Sequence, residues 1–265
     1  MDNSLLRVEN LTVAFDGFTV LDRLSIALQP RATRVIIGPN GAGKSTLLDA
    51  IIGRVAPVSG RILFRGHNLT GMPEHEIALL GICRKFQTPG VLDNLTLYDN
   101  LCLAARRAKQ WWQTLGCRLD PAERETVRAT LDLIGLDDKR DRPARELAHG
   151  EKQWLEIGMV VASGAELLLL DEPAAGLDLG ARERLVTLLG RFALDGVVPP
   201  IVLVTHHLEE VPSGFTHGAL LSAGRLLSAG PLDSVFTSHA ISDCFGVRVD
   251  VSGATGRRWH ARAAY

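Results

Sequence analysis

Val35-Ile36-Ile37-Gly38-Pro39-Asn40-Gly41-Ala42-Gly43-Lys44-Ser45-Thr46-Leu47-Leu48 is the stretch that decides the fold of this chain. It opens on a short apolar run of strand length and passes into Leu47, Leu48, Ile51 and Ile52 at helical spacing. Between the two, Gly38-x-x-x-x-Gly43-Lys44-Ser45 has the full spacing of a phosphate-binding loop. The residue types follow from the chemistry. Glycines let backbone N–H groups turn inward onto phosphate oxygens, and the next helix presents its positive end. Lys44 has the reach for β- and γ-phosphates, and Ser45 offers a hydroxyl to Mg²⁺. Gly38, Pro39, Asn40, Gly41, Ala42, Gly43, Lys44, Ser45 and Thr46 are thus expected to cradle a nucleoside triphosphate.

Moving outward, a second constellation follows a buried-strand run, Leu167-Leu168-Leu169-Leu170-Asp171-Glu172-Pro173. In enzymes with such a loop, the acid ending this strand holds Mg²⁺. A neighbouring carboxylate suits the orientation of an attacking water. Asp171 is therefore assigned to the metal and Glu172 to the water, against the plainer reading of two solvated acids at a strand end. Val202-Leu203-Val204-Thr205-His206 is another strand ending in a polar group, on the ligand side of an open α/β sheet. His206 is expected to face the terminal phosphate, and His207 is the weaker candidate.

The remaining pattern sets the architecture. Leu6, Val8, Leu11, Val13 and Phe15 alternate before the turn signal Asp16-Gly17, and Leu24 to Leu28 forms a second strand. Residues 88–162 are mostly helical, with one helix predicted from Pro121 to Ile134 and stopped by Gly135. Strands at Leu167–Leu170 and Ile201–Val204 flank a helical stretch, Arg182–Leu194. Strand–helix–strand alternation argues for an α/β fold with a mostly parallel sheet, into which the helical middle is inserted. The last twenty residues are polar and Arg-rich, reading as a small appendage or frayed end.

Composition excludes several classes. The chain has 265 residues, 46% hydrophobic, with 29 basic and 30 acidic side chains. The net charge of −1 argues against a strongly basic nucleic-acid binder, although a neutral average leaves room for a local basic patch. No apolar run approaches the roughly 18–20 residues needed to span a bilayer. No signal peptide is visible at the start, so a soluble, cytosolic chain that is not itself a pore is expected. Cys83, Cys102, Cys117 and Cys244 form no CxxC pair and read as free thiols. Arg106, Arg107 and Lys109 read as a solvated helix face, and Trp111-Trp112 as packing. Arg257-Arg258-Trp259-His260 reads as a loose tail rather than a lipid-touching patch.

Taken in order, these motifs resemble the ATP-binding subunit of ABC transporters, a P-loop NTPase family. Leu147-Ala148-His149-Gly150-Glu151-Lys152-Gln153 stands where that family carries its LSGGQ signature. Gln87, in Arg84-Lys85-Phe86-Gln87-Thr88, matches the Q-loop. Ala175-Gly176-Leu177-Asp178 matches the D-loop, and His206 the switch histidine. Phe15 resembles the aromatic that stacks on adenine, although alone it is an ordinary strand residue. The resemblance runs from Leu6 to Ser234 and implies a core (1–87 and 165–237) with an antiparallel N-terminal β-subdomain. It also implies an inserted α-helical subdomain (88–164), so that 1–237 is the ATPase domain and 238–265 an appendage.

The resemblance further implies ATP and Mg²⁺ as cofactors. Glu172, His206 and Gln87 become catalytic candidates, and Ser45, Gln87 and Asp171 metal ligands. Phe15, the loop from Gly38 to Thr46, Ala148, His149, Gly150, Glu151 and Asp178 become nucleotide-binding. The signature departs from pattern: Ala148 lacks the usual hydroxyl, His149 replaces a glycine and Glu151 a glutamine. Loss of one charge-assisted hydrogen bond is worth about 1.5–3 kcal/mol, so a weakened anion site is expected.

Through Phe15-Asp16-Gly17-Phe18, Arg34-Val35-Ile36-Ile37-Gly38, Arg84-Lys85-Phe86-Gln87-Thr88-Pro89 and Gln153-Trp154-Leu155-Glu156-Ile157-Gly158-Met159, residues 1–160 most resemble urea and branched-chain amino-acid importer ATPases, with the urea type foremost. Residues 166–265 resemble another bacterial branch, often labelled as metal or oxyanion transporters. The implied function is ATP hydrolysis driving import of a small polar solute, urea or a branched-chain amino acid. Implied partners are a second ABC ATPase subunit (a paralogue rather than a second copy), transmembrane permease subunits and, indirectly, a solute-binding protein, with no nucleic acid. The implied location is the cytoplasmic face of a bacterial inner membrane. Two other readings are a soluble ABC-type ATPase acting on DNA or ribosomes, and a P-loop module that binds without hydrolysing. The first usually carries coiled-coil insertions, zinc cysteines or tandem cassettes, none of which is seen here. Glu172 and His206 oppose the second.

Overall fold

The computed structural model describes residues 4–84, 90–106, 120–194 and 198–264. Gln87, Arg107, Lys109, Trp111, Trp112 and Cys117 lie outside them. In chain order the first part holds β1 (Leu6–Phe15), β2 (Phe18–Leu28), β3 (Arg34–Ile37), α1 (Lys44–Ile51), β4 (Ser59–Phe64), β5 (His67–Asn68), α2 (Glu74–Leu79) and β6 (Ile82–Arg84). The middle holds α3 (Leu97–Ala105), α4 (Pro121–Ile134) and α5 (His149–Ala162). Then come β7 (Leu167–Asp171), α6 (Leu179–Leu194), β8 (Ile201–Thr205), β9 (His217–Ser222) and β10 (Arg225–Pro231). The chain closes with α7 (Leu232–Val235), α8 (Ser238–Phe245), β11 (Val249–Ser252) and β12 (His260–Ala263).

A six-stranded sheet in the order β10-β9-β3-β8-β7-β6 forms the centre, parallel except where β10 pairs with β9. Its inner strands β3, β7 and β8 are buried almost throughout because both faces are covered. Leu168 and Leu170 of β7 join Val35, Ile37 and Leu203 in one core, against α3 to α6. Leu167 and Leu169 point the other way, joining Ile36, Val202 and Val204 against α1 and the N-terminal strands. All four leucines are fully buried, so a polar residue at any of them would lack a partner. A separate antiparallel sheet, β2-β1-β4-β5, covers the second face. The expected combination of parallel core, antiparallel sheet and helices is therefore present.

Local signals place most boundaries. Asp16 (φ 48°) and Gly17 (φ 86°) both adopt left-handed backbone, and Phe15 pairs directly with Phe18. Two such residues make the tight turn of a hairpin, so β2 begins at Phe18, earlier than the sequence pattern suggests. Within β1 the buried set switches from Leu6 and Val8 to Leu11 and Val13 across a register shift at Asn10. One extra residue there returns the apolar side chains to the core face. Helix α4 has the predicted ends. Asp120 accepts from the Glu123 N–H at 2.7 Å while Glu123 accepts from the Asp120 N–H at 3.1 Å. Gly135 closes it at φ 68°. Helix α6 starts three residues before the predicted Arg182, because Asp178 caps it by accepting from the Ala181 N–H at 2.7 Å.

At the end of the chain the frayed-end alternative departs from the structure. Residues 246–264 are not a frayed tail: β11 and β12 pair as a hairpin, and Trp259 is buried edge-on against Phe236, with ring centroids 5.2 Å apart. Arg258 Nη2 donates to the Glu209 carbonyl at 2.6 Å and to Glu183 on α6 at 3.1 Å. A buried indole and a paired guanidinium are not available to a lipid surface. The described cysteines, Cys83, Cys102 and Cys244, are free thiols. Cys244 is buried on α8, and burial pushes its thiol up to about 11. Among the described residues no helix is long and apolar enough to cross a membrane.

Candidate functional site: a phosphate loop and a detached signature face

The carboxyl edge of the parallel sheet gathers the first group. β3 delivers the chain to Gly38, whose backbone packs so closely that an added Cβ would sit 2.0 Å from the Leu221 carbonyl oxygen on β9. Gly43, at φ 97°, turns the loop into α1 and leaves no room for a side chain beside Leu21. These two glycines are required by space and dihedral rather than by composition. The loop closes on its own lysine. Lys44 Nζ donates to the carbonyls of Gly38 at 2.8 Å and Pro39 at 3.0 Å. Its burial lowers the ammonium pKa, partly offset by the nearby Glu172 and Asp171. Asn40, Gly41 and Ser45 are exposed, so the loop's outer rim and the first turn of α1 are open to a ligand.

β7 brings Asp171 and Glu172 beside this loop, and their surroundings differ. Asp171 lies at the sheet edge with Oδ2 accepting from Arg84 Nη2 at 2.6 Å. Its Oδ1 is buried with no hydrogen-bond partner among the described residues. Glu172 has left-handed backbone (φ 43°), held by its N–H donating to the Val204 carbonyl at 2.8 Å. Such a conformation costs a non-glycine residue of order 1–3 kcal/mol and tends to mark functional positions. It turns the carboxylate toward His206, and Nδ1 and Oε1 are 3.0 Å apart, each side chain about a third exposed. A carboxylate only accepts, so the hydrogen of this pair is carried by Nδ1. β8 aims His206 through its end: the Thr205 hydroxyl donates to buried Glu210 and accepts from the His207 N–H at 3.1 Å. Neither Thr205 nor Glu210 stands out in the sequence.

The fit to Mg²⁺ rests on donor chemistry. A hard cation takes oxygen ligands. The orphaned Asp171 Oδ1 is the kind of buried oxygen that a cation or its water satisfies, and Ser45, exposed in the first turn of α1, supplies a hydroxyl. Gln87, the third predicted ligand, lies outside the described residues. The residues present fit the ion.

The second group is elsewhere. Ala148, His149, Gly150 and Glu151 open α5 and, with Asp178, line a hollow of about 190 Å³. Among the described residues no hydrogen bond or ion pair joins this hollow to the phosphate loop. Gly150 is packed against α6, since an added Cβ would lie 3.2 Å from the Ala181 Cβ. Ala148 offers no side-chain cap, but Glu151 accepts from the Ala148 N–H at 3.1 Å and pairs with Lys139. Burial pushes the Glu151 carboxyl up, yet Lys139 and that amide outweigh it, so its pKa is lowered. The Gln-to-Glu departure thus has a structural partner that the sequence does not reveal. His149 Nε2 lies 3.2 Å from the Gln153 amide. Phe15 is exposed at the tip of the β1–β2 hairpin, opposite the more exposed Phe18. Two larger hollows, about 420 and 750 Å³, lie on the helical side and include none of the predicted site residues.

The family described as ABC transporter matches residues 21–175. A protein of Archaeoglobus fulgidus described as "Probable branched-chain amino acid transport ATP-binding protein LivG" is 28% identical over 246 residues, covering 91% of this chain and 95% of the relative. The cobalt import ATP-binding protein CbiO of Rhodobacter capsulatus is 34% identical over 250 residues, covering 92% and 85%. Amino-acid and metal import ATPases, the two branches resembled by the two halves of the sequence, are thus both represented. The crystal structure of MJ1267, an ATP-binding cassette of an ABC transporter in its ADP conformation, superposes with a TM-score of 0.76. It is 26% identical and covers 91% of this chain and 98% of that one. The chain belongs to the ABC transporter family, as an ATP-binding and ATP-hydrolysing subunit of a transporter.

Proposed function

We propose that this chain powers an importer for a small polar solute, a branched-chain amino acid or urea, by hydrolysing ATP at the phosphate loop. The observation that carries the hydrolytic assignment is the Glu172–His206 pair at the ends of β7 and β8, beside the loop. In this reading Gly38 to Thr46 hold the phosphates and Phe15 stacks on the adenine. Lys44 exchanges its two loop carbonyls for phosphate oxygens, which an ammonium can do without leaving its position. Ser45 and Asp171 hold Mg²⁺, together with Gln87. The ion, when bound, neutralises charge on the β- and γ-phosphates. Glu172 takes the proton of the attacking water, and the His206 Nδ1–H fixes which carboxylate oxygen faces it.

The detached signature face implies a second subunit. Ala148, His149, Gly150, Glu151 and Asp178 complete the nucleotide site of that partner, and its signature completes this one. A paralogue is the proposed partner, as in the importers that residues 1–160 resemble, with permease subunits docked on the pair. The solute rests on that resemblance and on relatives such as LivG. Uptake of radiolabelled leucine and of urea in cells lacking this chain tests it. One uptake should fall to the leak rate and return with the wild-type chain but not with Glu172→Gln. Unchanged uptake of both solutes would overturn the assignment of cargo.

A further inference from the structure

Arg84 takes part in none of the roles assigned so far, yet it is among the few charged residues buried in the molecule, 7% exposed. It ends β6, beside β7 in the parallel sheet. Its guanidinium divides between two carboxylates. Nη2 donates to Asp171 Oδ2 at 2.6 Å, and Nη1 donates to Asp49 on α1. Asp49 lies four residues beyond Ser45, so the two share one face of that helix. The two proposed metal ligands of described position therefore hang on a single side chain: Asp171 directly, and Ser45 through the helix that Asp49 anchors. Arg84 also distinguishes the two Asp171 oxygens, occupying Oδ2 and leaving Oδ1 buried and unpartnered.

We infer that Arg84 is the positioning residue of the metal site, setting the spacing between the Ser45 hydroxyl and Asp171 Oδ1 by bridging α1 to β7. A planar guanidinium can hold two carboxylates in fixed relative orientation, whereas a lysine ammonium is a point charge without that geometry. Groups that orient metal ligands typically change metal affinity by about 10–100-fold when removed. Arg84 touches neither substrate nor metal in this account. The inference rests on the assignment of Asp171 to the metal.

Mn²⁺ titration followed by electron paramagnetic resonance, on the full chain with ATP bound, tests both levels. Arg84→Met should raise the Mn²⁺ dissociation constant by about 10–100-fold, with Arg84→Lys intermediate. ATP affinity measured in EDTA should stay within about threefold, a change of less than a kcal/mol. The double variant Arg84→Met/Asp49→Leu removes the carboxylate left unpaired on α1 and recovers folding if Arg84→Met is unstable. It should still bind Mn²⁺ as weakly, because the bridge is gone. Wild-type Mn²⁺ affinity in the folded double variant, or equal losses of Mn²⁺ and metal-free ATP binding, would overturn the inference. Asp171→Asn separates the levels. If it leaves Mn²⁺ affinity intact, the metal assignment itself fails; if it weakens Mn²⁺ while Arg84→Met does not, only the role of Arg84 fails.

Discussion

Glu172→Gln should abolish turnover while leaving ATP bound: phosphate release falls by at least about a hundredfold, the range for loss of a positioned general base. The structure makes this a clean substitution. Glu172 is partnered by His206 and not by the Arg84 cluster, so losing its charge leaves Asp171, Asp49 and Arg84 paired as before. Glutamine keeps the shape and one acceptor oxygen for the His206 Nδ1–H, and it tolerates the left-handed backbone no worse than glutamate. What it lacks is the ability to take a proton. Rapid-quench phosphate release and filter binding of labelled ATP on the same preparation separate the two effects. Near-normal release would remove Glu172 from the reaction.

Lys44→Ala carries the second large expectation. Its ammonium is buried by the loop, against the Gly38 and Pro39 carbonyls, and close enough to Asp171 and Glu172 for their charges to support its protonated form. In its proposed role it would contact the β- and γ-phosphates, each contact worth about 1.5–3 kcal/mol. Loss of two such contacts corresponds to an ATP affinity at least about a hundredfold weaker. AMP, which has neither phosphate, should lose little. Calorimetric titration with ATP and AMP decides the matter, since a loop that had simply collapsed would lose both equally.

How far these sites were legible depended on how local their physics is. Helix α4 could be read to the residue because Asp120, Pro121, Glu123 and Gly135 are its own caps. The four leucines of β7 announce a strand buried on both faces, and the glycine spacing announces the phosphate loop. Arg84 could not be read this way: its partners lie 35 residues before and 87 residues after it. The parallel pairing of β6 with β7 sets Arg84 beside the strand of Asp171, and the packing of α1 brings Asp49 to the same guanidinium. The C-terminal hairpin misled for a related reason. Its polar, Arg-rich composition resembles a loose end, but Trp259 packs on Phe236 and Arg258 bonds to Glu183 and Glu209, all distant in sequence. Glu151 reads as a damaged signature residue until Lys139 is seen beside it. Start points of β2 and α6 were missed by a few residues because a turn and a cap, rather than apolar periodicity, set them.

ATP hydrolysis by this chain, as a transporter subunit, is harnessed to a transport complex. Its most direct measurement is ATP consumption in proteoliposomes holding the chain with its permease and paired ATPase subunits. Mg²⁺-dependent hydrolysis should rise when solute-binding protein loaded with cargo is added, and disappear when this chain carries Glu172→Gln. Hydrolysis of equal rate with and without the membrane subunits and cargo, or undiminished by Glu172→Gln, would contradict it.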